Sequence, residues 1–292
     1  MIPLKVAAYY VGRRVFTAIG LDAYWNKWWA SKYLNSRMLG IISAPGVTTF
    51  QITGVPRSGT TLLGACIDNH SKAICLLEPH RGILERGGFK LGLPESLGSG
   101  YPAEWTKHPA GLLKRLSASA QFACVGFKET YLDSRYYPLA TDEFLKRNLA
   151  DGYVDKCIAI IRDPRDSWVS VLTRFGEAPH APGVEFVETW NSFAAWLLDD
   201  AVFFIRYEDL VTDPERTLRS VCVELGLEFE AGMTQRRSRQ GVGDRRALEG
   251  DTISSDSVGR YAKELDADYR RFIESHCQTL MNKFGYEVDA TS

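Results

Sequence analysis

A three-layer α/β domain, with a central and mostly parallel sheet flanked by helices, is the fold class this sequence predicts. Three observations predict it. Short β-type runs alternate with helical patterns from about residue 48 to the end of the chain. One run, Lys156-Cys157-Ile158-Ala159-Ile160-Ile161, is almost continuously apolar, as a parallel strand covered on both faces should be. A glycine-bounded loop, Gly54 to Gly59, joins the first run to the first helical pattern.

The first strand is Thr49-Phe50-Gln51-Ile52-Thr53, and the helix after the loop runs from Thr60 to about His70. Strand, loop and helix start aim backbone N–H groups and the positive end of a helix dipole at one spot, where an anion belongs. The spacing fits the phosphate-loop pattern G-x-x-x-x-G-K-[ST] at Gly54, Gly59 and Thr61. Thr60 stands where that pattern has its lysine, and a cation appears inside the loop as Arg57. The domain is therefore P-loop-like, but its anion is not the one an ordinary ATP or GTP site holds.

The second strand, Ala73 to Leu77, ends at Glu78-Pro79. Proline cannot continue a central strand, which places Glu78 at the carboxyl end, where open parallel sheets bind ligands. Residues 81–118 are rich in Gly and Pro and read as a long irregular segment. Phe122 to Phe127 is the next strand, with Lys128 and Glu129 at its end. A helix follows from Thr141 to about Ala150. The apolar strand 156–161 ends at Arg162. Asp163 is a good helix cap and Pro164 suits the first helical position. In the helix that follows, Ser170 and Arg174 are one turn apart and share a face. Val184 to Leu198 is helical, Ala201 to Arg206 a strand, Asp213 to Gly226 a helix, and the last helix spans about Asp266 to Phe284.

The totals narrow the function classes. The chain has 292 residues and a net charge of −1, so charge gives no case for nucleic acid as a partner. The local cluster Arg236, Arg237, Arg239, Arg245 and Arg246 reads as a solvated loop or as a lid over a polyanion. Six scattered cysteines without a CxxC pair point to buried thiols in a reducing compartment, hence a cytoplasmic location. No Cys or His spacing suits a metal. No apolar run reaches transmembrane length. Residues 1–46 form an aromatic and basic helical extension to the domain at 47–292. With Tyr24, Trp25, Trp28 and Trp29 beside Arg13, Arg14, Lys27 and Lys32, it suits peripheral membrane contact or packing on the core or a partner subunit.

Four strand ends thus carry Arg57, Glu78, Lys128 and Arg162. The segments Val55 to Leu63 and Ile160 to Asp166, with Ser170 eight residues after Arg162, resemble the sulfotransferases that use 3′-phosphoadenosine 5′-phosphosulfate (PAPS). Arg206-Tyr207-Glu208-Asp209-Leu210-Val211 and Ser257-Val258-Gly259-Arg260-Tyr261 resemble two further family segments. The likeness covers roughly residues 48–286. It implies that Arg57, Ser58, Gly59, Thr60 and Thr61 cradle the 5′-phosphosulfate. It implies too that Arg162 and Ser170 hold the 3′-phosphate with Arg174 nearby. Tyr207 would lie by the adenine, and Arg260 would close over the nucleotide. The product nucleotide would be adenosine 3′,5′-bisphosphate, and no metal is expected.

The implied chemistry is in-line attack of an acceptor hydroxyl on sulfur. Glu78 is the expected base, 21 residues after Arg57, the spacing found in tyrosylprotein sulfotransferases. His80 and Glu129 are the alternatives. Arg57 and Lys128 would flank the sulfuryl group. Cytosolic members place a histidine base two residues after the strand-end lysine, where this chain has Thr130, and a lysine where it has Arg57. The chain therefore looks closer to the carbohydrate, tyrosylprotein and bacterial branches. A carbohydrate, a phenolic or lipid natural product and a peptide tyrosine all fit as acceptor. The rival readings are a P-loop-like phosphotransferase, which wants a lysine at position 60, and an inactive nucleotide-binding relative.

Overall fold

The computed structural model describes residues 45–79, 89–90, 105–106, 109–137, 140–175, 183–235 and 252–288, with isolated positions 12, 15, 18 and 21. The aromatic extension, His80, the arginine cluster at 236–246 and most of the expected irregular segment therefore lie outside the described residues.

Five strands build the main sheet: β1 (Thr48–Gly54), β2 (Ala73–Leu77), β5 (Cys124–Thr130), β6 (Lys156–Ile161) and β7 (Phe204–Arg206). Their order is β2-β5-β1-β6-β7, and every pairing is parallel. A two-stranded antiparallel pair, β3 (Phe89–Lys90) with β4 (Trp105–Thr106), stands apart. The helices are α1 (Thr60–Asp68), α2 (Pro109–Ala118), α3 (Asp142–Ala150), α4 (Pro164–Phe175), α5 (Val184–Asp199), α6 (Tyr207–Thr212), α7 (Pro214–Leu225), α8 (Tyr261–Glu264) and α9 (Ala267–Lys283). No described helix is long and apolar enough to cross a membrane.

Alternation along the strands builds one core on each face of the sheet. Phe50 and Ile52 of β1 pack with Leu62, Leu63 and Ile67 of α1 and with Leu218 and Val221 of α7. Val125 and Phe127 of β5, with Ala159 and Ile161 of β6, pack with Phe144, Trp168, Trp190 and Phe193 from α3, α4 and α5. Gln51 points into this second layer. Its amide donates to the Leu145 carbonyl at 2.8 Å and accepts from Asn148 at 3.1 Å, so a buried polar side chain in the central strand is satisfied.

The expected elements are present, with three differences. β5 extends through Thr130, because Gly54 and Thr130 still pair across β1. Lys128 therefore sits inside the strand and not beyond it. The run 201–206 is a strand only from Phe204. Val202 N–H donates to Leu197 O, and Ala201 has φ 48, so its first half is the left-handed turn that ends α5. Residues 109–118, read as irregular, form α2, which buries Leu113 and Leu116. A single i, i+3 leucine pair is too weak a periodic signal to reveal it. All six cysteines are free and buried.

The chain runs from the central β1 outward to β2, back through β5, then across to β6 and β7. Connections leave to opposite sides around β1 and β6. In such sheets the crevice at the carboxyl ends of those two strands is where ligands bind.

Candidate functional site

The loop after β1 closes on itself. The Ser58 hydroxyl and N–H both donate to Val55 O, at 2.7 and 3.2 Å. The Ser58 side chain is thus a strut within the loop, fully buried. Arg57 has φ 69 and Gly59 φ 94. Only glycine fits position 59 in any case: a Cβ there would lie 2.4 Å from Cδ2 of the Tyr207 ring. At Gly54 a Cβ would meet the Ile160 carbonyl at 2.5 Å, so loop and β6 touch backbone to backbone. α1 begins at Thr60 with Gly59 as its cap, and no side chain caps it. Its first N–H groups have no partner within the helix, and the positive end of the helix dipole lies at the loop.

Arg162 follows β6. It is buried, and its guanidinium is gripped on several sides. Nη1 donates to Arg57 O at 3.0 Å and Nη2 to Ser257 O at 2.7 Å. The plane lies 4.2 Å from the centre of the Tyr207 ring. Its Nε is buried without a hydrogen-bond partner among the described residues. A buried, unsatisfied N–H on a cation is unfavourable by about 1–3 kcal/mol or more unless a partner arrives. An anion is the partner it suits. Arg57 in turn donates from Nε to the Ser170 hydroxyl at 3.0 Å. Arg57, Arg162 and Ser170, drawn from two loops and one helix, therefore form one cationic cluster. Arg174 lies on the exposed last turn of α4, beyond Ser170.

Tyr207 is buried in the core beside the loop, and its hydroxyl shares a 2.6 Å hydrogen bond with that of Ser257. Arg260 is anchored to Glu264 at 2.6 and 2.8 Å and to the Thr173 hydroxyl at 3.1 Å. Under this assembly sit the ion pairs of Arg165 with Asp163 and Glu274, at 2.7 and 2.6 Å and all buried. Burial pushes the Asp166 carboxyl above the usual range, against two backbone N–H bonds that favour its ionised form.

The second constellation stands at the ends of β2 and β5. Leu77 pairs with Lys128, and Glu78 N–H donates to Lys128 O at 2.8 Å, so the ladder continues one step past β2. Glu78 has φ 52. Pro79 disfavours the right-handed region for the residue before it, and the chain turns through the left-handed one. Lys128 Nζ donates to Glu78 Oε1 at 2.6 Å, and the Thr130 hydroxyl, 3.2 Å from each, ties the pair together. Lys128 is 2 % exposed and Glu78 26 %. The lysine is thus a buried cation with its carboxylate turned toward solvent, not a surface side chain at a strand exit. Two of the four described non-glycine residues with positive φ are Arg57 and Glu78, and such strain concentrates at functional sites.

Other readings of single residues resolve simply. His70 is buried, bonded to Glu228 O at 2.8 Å and accepting from Lys72 N–H at 3.0 Å. Trp190 is fully buried and donates to Arg162 O at 3.0 Å. Glu129 is fully buried. The sequence reading missed Ser257, Asp166 and Thr130 as parts of the site. Ser257 and Asp166 lie within the motif segments and Thr130 two residues beyond Lys128, but nothing in the spacing marks what they bond.

A family model described as "Sulfotransferase family" matches residues 155–231, which include Arg162, Ser170, Arg174 and Tyr207. Among solved structures, the sulfotransferase domain from the Synechococcus PCC 7002 olefin synthase superposes with a TM-score of 0.52 at 18% identity, covering 84% of this chain and 98% of that one. The sulfotransferase domain from the curacin biosynthetic pathway gives 0.48 at 18% identity, over 84% and 100%. Mouse sulfotransferase SULT7A1, complexed with PAP, gives 0.47 at 16% identity, over 86% and 89%. A search of curated protein sequences found no match. The chain resembles the sulfotransferases: it has their fold, and its second half carries a segment that their family model matches.

Proposed function

We propose that this chain is an enzyme that moves a sulfuryl group from PAPS to an acceptor hydroxyl. The observation that carries the reading is the pair of arginines at adjacent strand ends, in which Arg162 bonds the loop at Arg57 O yet keeps a buried Nε without a partner among the described residues. A nucleotide with phosphosulfate at one end and phosphate at the other needs two anion sites. Planar guanidinium groups suit both.

In this reading the loop from Arg57 to Thr61 and the start of α1 hold the 5′ group. Arg162 and Ser170 hold the 3′-phosphate, Arg174 and Arg260 add positive charge near it, and Tyr207 walls the cleft. When bound, the nucleotide supplies an electrophilic sulfuryl group. Glu78 takes the proton of the acceptor hydroxyl. Lys128, held by Glu78 and Thr130, and Arg57 balance the negative charge that develops beside them. Proton transfer to Glu78 neutralises the partner of Lys128 and frees its ammonium to act on the other side.

The test is a thermal-shift titration with adenosine 3′,5′-bisphosphate against ADP, with and without magnesium. At a hundredfold its dissociation constant a ligand stabilises the fold by about 2.7 kcal/mol. The bisphosphate should do so without magnesium and ADP should do much less. A preference for ADP with magnesium would replace this reading with a phosphotransferase.

A further inference from the structure

The segment from Ser257 to Tyr261 is a strap laid across the start of α4, and one carboxylate fastens it. Asp166 stands in the first turn of α4 and is 2 % exposed. Its Oδ2 accepts from Gly259 N–H at 2.6 Å and its Oδ1 from Tyr261 N–H at 2.9 Å. Both oxygens are thus committed to the backbone of the strap. Gly259 has φ 72, which turns the two N–H groups toward the same carboxylate. Just before this turn, Ser257 O accepts from Arg162 Nη2, and the Ser257 hydroxyl meets that of Tyr207.

The consequence runs from Asp166 to Arg162 through the strap. The Arg162 guanidinium is posed by two carbonyls, one from the loop at Arg57 and one from the strap at Ser257, and by the ring of Tyr207. The strap carbonyl stays in place only if the strap does. Among the described residues Asp166 accepts hydrogen bonds only from backbone N–H groups, and it approaches Arg162 as a nearby charge. We infer that Asp166 is a positioning residue: it fixes the strap so that Ser257 O orients Arg162 with Nε turned to the 3′-phosphate. The inference rests on the proposed nucleotide reading and deepens it by naming what sets selectivity for the 3′-phosphate.

Selectivity is the readout, because a residue that merely supports the fold would weaken all nucleotides alike. The dissociation constants of adenosine 3′,5′-bisphosphate and of AMP, which lacks the 3′-phosphate, are measured by calorimetry on the full chain and on Asp166→Asn. The amide retains one acceptor and turns a donor toward the other N–H. The ratio of the AMP constant to the bisphosphate constant is expected to fall about tenfold, mostly through weaker bisphosphate binding, while AMP binding changes little. Gly259→Ala loosens the strap from its own side, where a Cβ meets open space, and should lower the ratio in the same direction even if Asp166→Asn does not fold. An unchanged ratio in folded variants overturns the role of Asp166 and leaves the nucleotide reading standing. Equal binding of the two nucleotides by the unsubstituted protein overturns both.

Discussion

Arg57 donates a hydrogen bond to the hydroxyl of Ser170 at 3.0 Å, across 113 positions of the chain. The contact joins the loop after the central strand to the second turn of α4, so the two proposed anion sites would share a wall. Ser170→Ala removes the acceptor that orients Arg57 as well as a hydroxyl facing the cluster. Affinity for adenosine 3′,5′-bisphosphate should fall about tenfold, or roughly 1.4 kcal/mol, with little change in melting temperature. Unaltered affinity in a calorimetric titration would leave Ser170 a packing role alone.

Glu78→Gln keeps an oxygen for Lys128 and Thr130 but cannot take a proton. Turnover should drop by roughly 10²–10⁴, with nucleotide affinity near that of the parent and some loss of thermal stability, because Lys128 is left a buried cation without its carboxylate. Retained turnover in a radiolabelled sulfate-transfer assay would move the base elsewhere.

Glycine substitutions separate backbone strain from steric exclusion. Gly59→Ala places a Cβ against the Tyr207 ring at φ 94, whereas Gly152→Ala meets open space at φ 68. The first should lose about 2–4 kcal/mol in a urea melt, and the second only about 1–2 kcal/mol for the left-handed backbone. Equal losses would show that the ring moves aside without penalty.

Asp133 supplies a pH signature. Burial pushes its carboxyl up, but the hydrogen bonds from the Arg135 guanidinium and N–H outweigh this and hold it below the usual range. A depressed folded value gives stability that is present above the ordinary carboxylate pKa and is lost as pH falls through the folded one. Asp133→Asn should therefore be less stable than the parent by about 1–2 kcal/mol at pH 7. The gap should close as the pH drops below about 4. A gap that persists at pH 2 would mean that the charge of Asp133 contributes nothing.

The layers, the parallel sheet and most helices were legible in the sequence because each rests on a local signal: alternation, apolar runs, Pro and Gly breaks. Gly54, Arg57, Glu78 and Arg162 were legible as strand-end residues for the same reason. What held them was not. Thr130 between Lys128 and Glu78, Ser257 O on Arg162 and Asp166 under the strap are contacts between distant segments, fixed by strand order. No spacing records that order. α2 escaped because its apolar face is short, and the false start of β7 arose because Val202 and Phe203 look like a strand while the turn closing α5 governs them.

The central position of β1 has a consequence for how the molecule comes into being. Thr48 has no sheet neighbour until Cys124 is made, and Phe50, paired with Gly126 on one side, waits for Lys156 on the other. A nascent chain on the ribosome therefore carries its central strand without a sheet neighbour until β5 is made, and open on its other side until β6 is made. Such long-range pairing makes folding slow and leaves open edges that attract other chains. The protein's yield in a cell should thus depend on chaperone supply more steeply than its final stability suggests.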